Sequence, residues 1–487
     1  MSDAMDKEPL VVKRLPVRLT PDPKLTITRL FWAGAERAKR LVDRILALDD
    51  TQASHLLAST MTDFGHLHDG LLDIFRGHFE QVARRINVPD RLSDDKKLLI
   101  GAYFTLEYSF ASAAIFNPSM TPAIDQTGVP PGALRFAMSL RTVGEGHISS
   151  IIFRRGIIDV AGNVSIESVR PYHQYARKME PLRLSQVKPH PRVMEKGVPE
   201  TFTETVLGPS GDAFTMDQLR RYLYRVHRLE GLTDEEDGYE SPEWIASCDY
   251  DIETGPGGDI TQLVLFPICQ AESRGMEDMR LVRFTDDNGS VRYYGTYTAY
   301  DGARIRPQMF ELARPSLARI RALRGYFARN KGLALFPRKI DGRYMMSARI
   351  DGENLYLLKS DDVLLWNEAV PIEGPRYSWE FVQVGNCGSP IETEAGWLLL
   401  THGVGPMRRY CIGAMLLDLK DPTKVIGRLD QPLLAPSPDE RTGYVPNVVY
   451  SCGGLVHNKT LVIPYGISDA ATGFATVRLD DLLARLG

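Results

Sequence analysis

The sequence predicts a mainly β protein, a five-bladed β-propeller with an N-terminal α-helical region. Three observations carry that prediction. From Leu134 onward the chain is a series of short segments rich in strand formers, bounded by Gly, Asp and Asn. Within this part a weak unit recurs: a polar turn, an apolar strand, and a charged or polar residue where the strand ends. Ahead of it, Leu41, Ile45 and Leu48, then Leu71, Leu72, Phe75, Phe79 and Val82 recur at three- and four-residue steps, the period of amphipathic helices.

The chain has 487 residues, 43% of them hydrophobic and 25% charged, with a formal net charge of -4. That length supports a large core and two regions, residues 1–100 as an arm and helices and 101–487 as the propeller. No basic bias points to nucleic acid or an acidic membrane surface. No apolar run approaches the roughly 20 residues of a membrane span. Cys248, Cys269, Cys387, Cys411 and Cys452 are scattered and odd in number, so they read as reduced, mostly buried thiols. With no apolar segment near the N-terminus, the expected compartment is the cytoplasm.

Each element has a local reason. Residues 1–28 carry Pro16, Pro21 and Pro23 and read as an extended arm. The region from Ala33 to Val88 reads as two or three helices, suited either to packing on the rest of the chain or to joining copies into a homo-oligomer. His66, His68 and His78 lie there without a cysteine or acid cluster to complete a ligand set, so they read as surface or interhelix histidines and no metal is expected. After Asp94-Asp95 an apolar, aromatic segment from Leu98 closes on Phe116-Asn117-Pro118-Ser119, read as a turn. Residues 167–256 are charged and proline-bearing, with helical spacing between Met216 and Glu236, and read as an insertion between blades.

The recurring strands end at Arg141, Asp301, Arg349, His402 and Asp469. A propeller turns equivalent positions of its blades toward one axial channel, so these five groups are expected to converge. Beside them stands Gly275-Met276-Glu277-Asp278-Met279-Arg280, read as a polar turn with two carboxylates next to an arginine. Asp286-Asp287-Asn288-Gly289 downstream is a hairpin signal. Acids at neighbouring strand ends suit glycoside cleavage. Inverting cleavage needs a proton donor on one side of the sugar and a nucleophile on the other. Water as nucleophile requires a second carboxylate as base; phosphate requires cations instead. Lys331, Arg349 and His402 are candidate cations and weigh toward phosphate. Gly144-Glu145-Gly146-His147 is read as no more than a strand turn. Phosphate-loop, dinucleotide, zinc-protease and nucleophile-elbow motifs are absent from the sequence.

From about residue 110 to the end the sequence resembles glycoside hydrolase family 130, the mannoside phosphorylases and β-1,2-mannosidases. The resemblance rests on residues 275–280 with Tyr297-Thr298-Ala299-Tyr300-Asp301, Asn330-Lys331, Leu335-Phe336-Pro337-Arg338-Lys339-Ile340, Gly396-Trp397-Leu398-Leu399-Leu400-Thr401-His402-Gly403, Leu416-Leu417-Asp418-Leu419, and Val445-Pro446-Asn447-Val448-Val449-Tyr450-Ser451-Cys452-Gly453. It implies a five-bladed propeller and inverting phosphorolysis of a terminal β-mannoside to α-mannose 1-phosphate. It places the general acid at Asp278, acting through a hydroxyl of the mannose ring. It puts phosphate at Lys331, Arg349 and His402, and the sugar at Asn117, Arg141, Asp301 and Asp469. Phosphate is then a co-substrate and no cofactor is implied. Gln383 stands where the family usually has lysine. Hydrolytic members use glutamates to activate water, and Glu380, Glu392 and Glu394 lie near Gln383, so a β-mannosidase is the alternative; a non-catalytic glycan-binding propeller is a third. The helical N-terminal region resembles that of a longer branch of the family.

Overall fold

The computed structural model describes residues 10–169, 173–175, 177–178, 248–254 and 258–486. The proposed insertion therefore lies almost wholly outside the described residues, as does the helix expected between Met216 and Glu236.

The N-terminal part opens with β1 (Lys13–Arg14) and β2 (Thr26–Leu30). Helices α1 (Ala35–Leu46), α2 (Asp50–Phe64), α3 (Leu71–Ala83) and α4 (Asp94–Tyr103) follow. A capping box starts α2, in which Asp49 accepts from the Gln52 N–H and Gln52 from the Asp49 N–H. The apolar stripes meet in one core that includes Val42, Ile45, Leu57, Phe75, Val82, Leu99 and Phe104. The helix α4 lies where the sequence reading had only an apolar segment. His68 contacts Glu107 at 2.6 Å and His78 contacts Thr105 at 2.7 Å, so both are held inside the protein. Strand β3 (Thr105–Ser109) pairs with β2 and leads into the β part.

Five antiparallel units follow. The first comprises β4 (Ala114–Pro122), β5 (Leu134–Val143), β6 (Ser149–Ile158) and β7 (Val164–Ile166). Four short strands border it and the next: β8 (Gln174–Tyr175), β9 (Arg177–Lys178), β10 (Tyr250–Glu253) and β11 (Leu263–Leu265). The second is β12 (Gly275–Thr285), β13 (Val291–Tyr300), β14 (Ile305–Arg314) and β15 (Leu317–Ala322), edged by β10. Its first hairpin turns at Asp286–Ser290 with Gly289 at φ 79°, as the Asn-Gly pair predicts. The third is β16 (Lys331–Leu335), β17 (Tyr344–Arg349), β18 (Leu355–Ser360) and β19 (Glu368–Glu373). The fourth is β20 (Gln383–Asn386), β21 (Ile391–Thr393), β22 (Gly396–Val404), β23 (Tyr410–Leu417) and β24 (Val425–Arg428). The fifth is β25 (Val449–Tyr450), β26 (Leu455–His457), β27 (Thr460–Ile467) and β28 (Ala471–Arg478), edged by β1; α5 (Leu479–Leu486) ends the chain.

Apolar cores lie between successive units. Phe153 of the first meets Met279 and Tyr297 of the second. Phe284 of the second meets Leu335 and Met346 of the third. Leu357 of the third meets Trp397 and Leu399 of the fourth. Leu398 and Ile412 of the fourth meet Leu461 and Ile463 of the fifth. Val462 and Phe474 of the fifth meet Phe136 and Leu140 of the first, so the circuit returns to its start. The alternation along each strand, one face into one core and the next into another, is what fully buried runs such as Trp397-Leu398-Leu399-Leu400 require. All five cysteines are free, four of them buried. No described helix is long and apolar enough to cross a membrane.

Candidate active site

Three strands that open units carry the same irregularity. In β4, Asn117 and Pro118 stand opposite the single residue Leu140 of β5, between the pairs Phe116–Arg141 and Ser119–Ser139. In β12, Asp278 and Met279 stand opposite Tyr297, between Glu277–Thr298 and Arg280–Thr296. In β16, Gly332 and Leu333 stand opposite Ala348, between Lys331–Arg349 and Ala334–Ser347. Each is a β-bulge, two residues against one, which re-aims the side chains at its start. Asn117 and Asp278 take left-handed backbone there, at φ 48° and 52°. Stretches read from sequence as turns, 116–119 and 275–280, are thus bulges inside strands.

A bulge releases backbone groups that must find other partners. The Pro118 carbonyl accepts from the Cys452 N–H. The Met279 carbonyl accepts from the Ser139 hydroxyl and the Leu281 N–H donates to the Ser119 hydroxyl. The Leu333 carbonyl accepts from the Thr296 hydroxyl. Ser119, Ser139 and Thr296 belong to units next to the bulges they satisfy, so the bulges are fixed by neighbours. These small hydroxyl residues gave no sequence signal of their own.

The bulges bring the charges together. Asn117 Nδ2 donates to Asp278 Oδ1 at 2.8 Å, and Arg141 Nη1 lies 3.3 Å from the same oxygen. Arg141 Nη2 donates to Glu277 Oε1 at 2.8 Å, while Lys331 Nζ donates to Glu277 Oε2 at 2.6 Å. Glu277 therefore ties the cations of the first and third units to the acid of the second. Arg280, fully buried, donates to the Asp278 carbonyl and to the Tyr450 hydroxyl, each at 2.7 Å. Burial pushes the Asp278 carboxyl up, but Arg141, Arg280, the Asn117 hydrogen bond and Lys331 together hold it below the usual carboxylate range. Asp469, at φ 51° in the turn after β27, responds to Asp278 and Arg141; burial and the nearby Asp278 charge push it up to about 6.

On the far side, Arg349 stands opposite Lys331 and His402 stands opposite Gly385. A Cβ at Gly385 would lie 2.6 Å from His402 Cε1 and 3.1 Å from Arg349 Cδ, so only glycine lets those two side chains approach this strand. His402 sits between Tyr450, edge-on at 4.9 Å, and Tyr410, stacked at 6.1 Å. Burial, with Arg349 and Arg280 close by, pushes its imidazole well below the usual value. His402 is therefore neutral, a hydrogen-bonding group and not the cation the sequence reading made it. Buried polar atoms without a hydrogen-bond partner among the described residues gather here: Asn117 Oδ1, Arg141 Nε, Arg349 Nε, His402 Nδ1 and both amide atoms of Asn386. Asn386, fully buried beside Gly332, was not singled out from sequence.

A family model described as beta-1,4-mannooligosaccharide phosphorylase matches residues 259–486. The chain is 36% identical over 222 residues to 1,2-beta-oligomannan phosphorylase of Thermoanaerobacter sp. (strain X514), covering 44% of this chain and 71% of that protein. The chain belongs to glycoside hydrolase family 130. A second family 130 relative, beta-1,2-mannobiose phosphorylase of the same organism, is 33% identical over 52% of this chain and 84% of its own. The solved beta-1,2-mannobiose phosphorylase from Listeria innocua, in complex with beta-1,2-mannobiose, superposes with TM-score 0.45 at 19% identity over 78% of this chain and 93% of that one.

Of the residues that the family 130 resemblance singled out, Asn117, Arg141, Asp278, Lys331 and Asp469 form one charged cluster, with Arg349 and His402 adjoining it. Asp301 is the exception. Register explains why: the residue of β13 that matches Arg141 and Arg349 is Thr298, opposite Glu277, and Asp301 lies three residues further on. Its Oδ1 accepts from the Ala303 and Arg304 N–H groups at 2.8 and 2.6 Å, so it caps its own turn. Gln383 Nε2 lies 3.5 Å from the Tyr410 hydroxyl. Two of the three nearby acids are engaged elsewhere. Glu380 is fully buried against Arg428 and the N–H groups of Arg376 and Tyr377, and Glu392 forms a forked pair with Arg338. Glu394 is exposed in the turn after β21.

Proposed function

We propose that this family 130 protein cleaves a terminal β-mannoside with inorganic phosphate and inversion, giving α-mannose 1-phosphate and a shortened sugar. The observation that carries this reading is the juxtaposition of one bulge-borne acid, Asp278, with cations and with donors unpartnered among the described residues, contributed by five other strands, β5, β16, β17, β20 and β22. The names of the relatives, both phosphorylases, agree with it. Asp278 is the proton donor to the glycosidic oxygen, through a mannose hydroxyl. Asn117 and Arg141 orient it, and Asp469 faces the sugar. Lys331 and Arg349 hold the phosphate, and neutral His402 adds a hydrogen bond. Phosphate attacks the anomeric carbon from the side opposite the leaving oxygen, so the carbon–oxygen bond that forms is inverted relative to the one that breaks.

The lowering of the Asp278 carboxyl by its cationic neighbours fits this scheme. A bound phosphate dianion offsets Lys331 and Arg349, and a bound sugar excludes water. Both changes raise the carboxyl toward the protonated form that an acid needs. The hydrolytic reading requires a free carboxylate as base, and Glu380 and Glu392 are each spent on an arginine. Gln383 is the observation that favours it, since a lysine charge is missing there.

We infer further that the five units are blades of a propeller. Their antiparallel order, the circuit of cores and the pairing of β1 with β28 support this. The free thiols suit a reducing cytoplasm. The deciding experiment is incubation with a β-1,2-linked mannobiose with and without phosphate. Mannose 1-phosphate appearing only with phosphate is expected; free mannose released at the same rate without phosphate would assign the protein to the hydrolases.

A further inference from the structure

Every unit turns at the same end of the sheets as the charged cluster. The turns after β5, β13, β17, β22 and β27 contain left-handed residues at His147, Gly302, Gly352, Met407 with Arg408, and Ser468 with Asp469. These turns form the rim above Asp278. On that rim, two side chains remote in sequence meet. His147 Nδ1 lies 3.1 Å from the Tyr444 hydroxyl, and their rings are 6.0 Å apart at an angle of 38°. Both are exposed, Tyr444 by 51%.

The pair stands at the junction of the first and fifth units. His147 follows Arg141 by one turn of the chain. Tyr444 adjoins Val445, whose N–H donates to the Ser468 carbonyl at 2.9 Å, immediately before Asp469. The phosphate groups Lys331, Arg349 and His402 come from the third and fourth units. Inversion places nucleophile and leaving group on opposite faces of the mannose, so the leaving sugar departs on the side of the first and fifth units. The turn bearing His147 is braced from the N-terminal region: the Tyr108 hydroxyl of β3 donates to the Glu145 carbonyl, and Gly144 lies flush against Ser109 and Phe110.

We propose that His147 and Tyr444 form the acceptor subsite, binding the sugar that leaves with the glycosidic oxygen. This rests on the phosphorolytic reading. A pyranose offers a C–H face to the Tyr444 ring and hydroxyls to His147, the division of labour that aromatic residues with a polar tip serve. The N-terminal helices then act on specificity, because the strand that follows them fixes the turn.

The test runs the reaction in reverse, from mannose 1-phosphate and a manno-oligosaccharide acceptor, reading phosphate release. For Tyr444→Ala and His147→Ala, acceptor KM is expected to rise about tenfold or more, from loss of a stacking or hydrogen-bonding partner. The KM for mannose 1-phosphate is expected to stay within about twofold. Tyr444→Phe, which keeps the ring, is expected to retain most of the acceptor affinity. An unchanged acceptor KM, or equal rises for donor and acceptor with thermal unfolding unaltered, would overturn the proposal. Wild-type protein that releases no phosphate from mannose 1-phosphate with any acceptor would instead defeat the phosphorolytic reading itself.

Discussion

Replacing Asp278 with asparagine isolates proton donation from everything else the residue does. The amide is the same size and keeps an oxygen for the 2.8 Å hydrogen bond from Asn117. Arg141 loses a charge partner at 3.3 Å but retains Glu277 at 2.8 Å. The fold is therefore expected to survive, with a loss of about 1 kcal/mol, the scale of one hydrogen bond. Removing a general acid typically costs about 10²–10⁴ in rate. At 1.36 kcal/mol per tenfold, that corresponds to a barrier higher by about 3–5 kcal/mol. The assay compares two substrates under phosphate. With a natural mannobiose the variant is expected to fall by that factor. With 4-nitrophenyl β-mannoside, whose leaving group departs without a proton, most of the loss is expected to vanish. Equal losses on both substrates would refute the role of Asp278 as acid, and so would near-normal turnover of the mannobiose.

Two further perturbations probe the surroundings of that acid. Gly385→Ala pushes a methyl group to 2.6 Å from His402 and 3.1 Å from Arg349, so phosphate KM is expected to rise about tenfold, with overpacking costing about 1–3 kcal/mol in a thermal melt. Asp469 has its folded pKa raised to about 6 from 3.8, so its stabilising neutral form is fully present below about pH 4 and lost as pH rises through about 6. Asp469→Asn is expected to gain about 1–3 kcal/mol on wild type between pH 4.5 and 7.5, measured by denaturant midpoints at the two pH values; a difference that does not change with pH would contradict it.

Periodicity exposed the broad plan, because burial imposes it directly. Helical spacing around Leu71, Phe75 and Val82 and the buried run Trp397-Leu398-Leu399-Leu400 are answers to where water is. The repeat also led to Arg141, Arg349 and Asp469, since equivalent strand ends do come together. What it missed depends on register. A single extra residue in β4, β12 or β16 carries no signature in hydrophobic pattern, yet it decides where Asn117 and Asp278 stand. It also leaves Asp301 three places beyond the position equivalent to Arg141. The neutrality of His402 was equally hidden, because it comes from burial between Tyr410 and Tyr450 and from arginines of other units. Asn386, Ser119 and Ser139 are ordinary residues in sequence and acquire importance only from what lies across from them.

The pairing of Lys13 and Arg14 with Thr476 and Ala475 has a bearing on how the protein is made. Arg14 reinforces it by a fork onto buried Glu440, which also accepts from the Tyr465 hydroxyl. The segment that completes the last sheet leaves the ribosome long before its partner strand, which emerges after more than four hundred intervening residues. Until that partner strand emerges, the early segment lacks the pairing it has in the finished sheet. Trimming the chain to begin at the helices would leave that sheet's edge permanently bare, a surface on which a second molecule could add a strand.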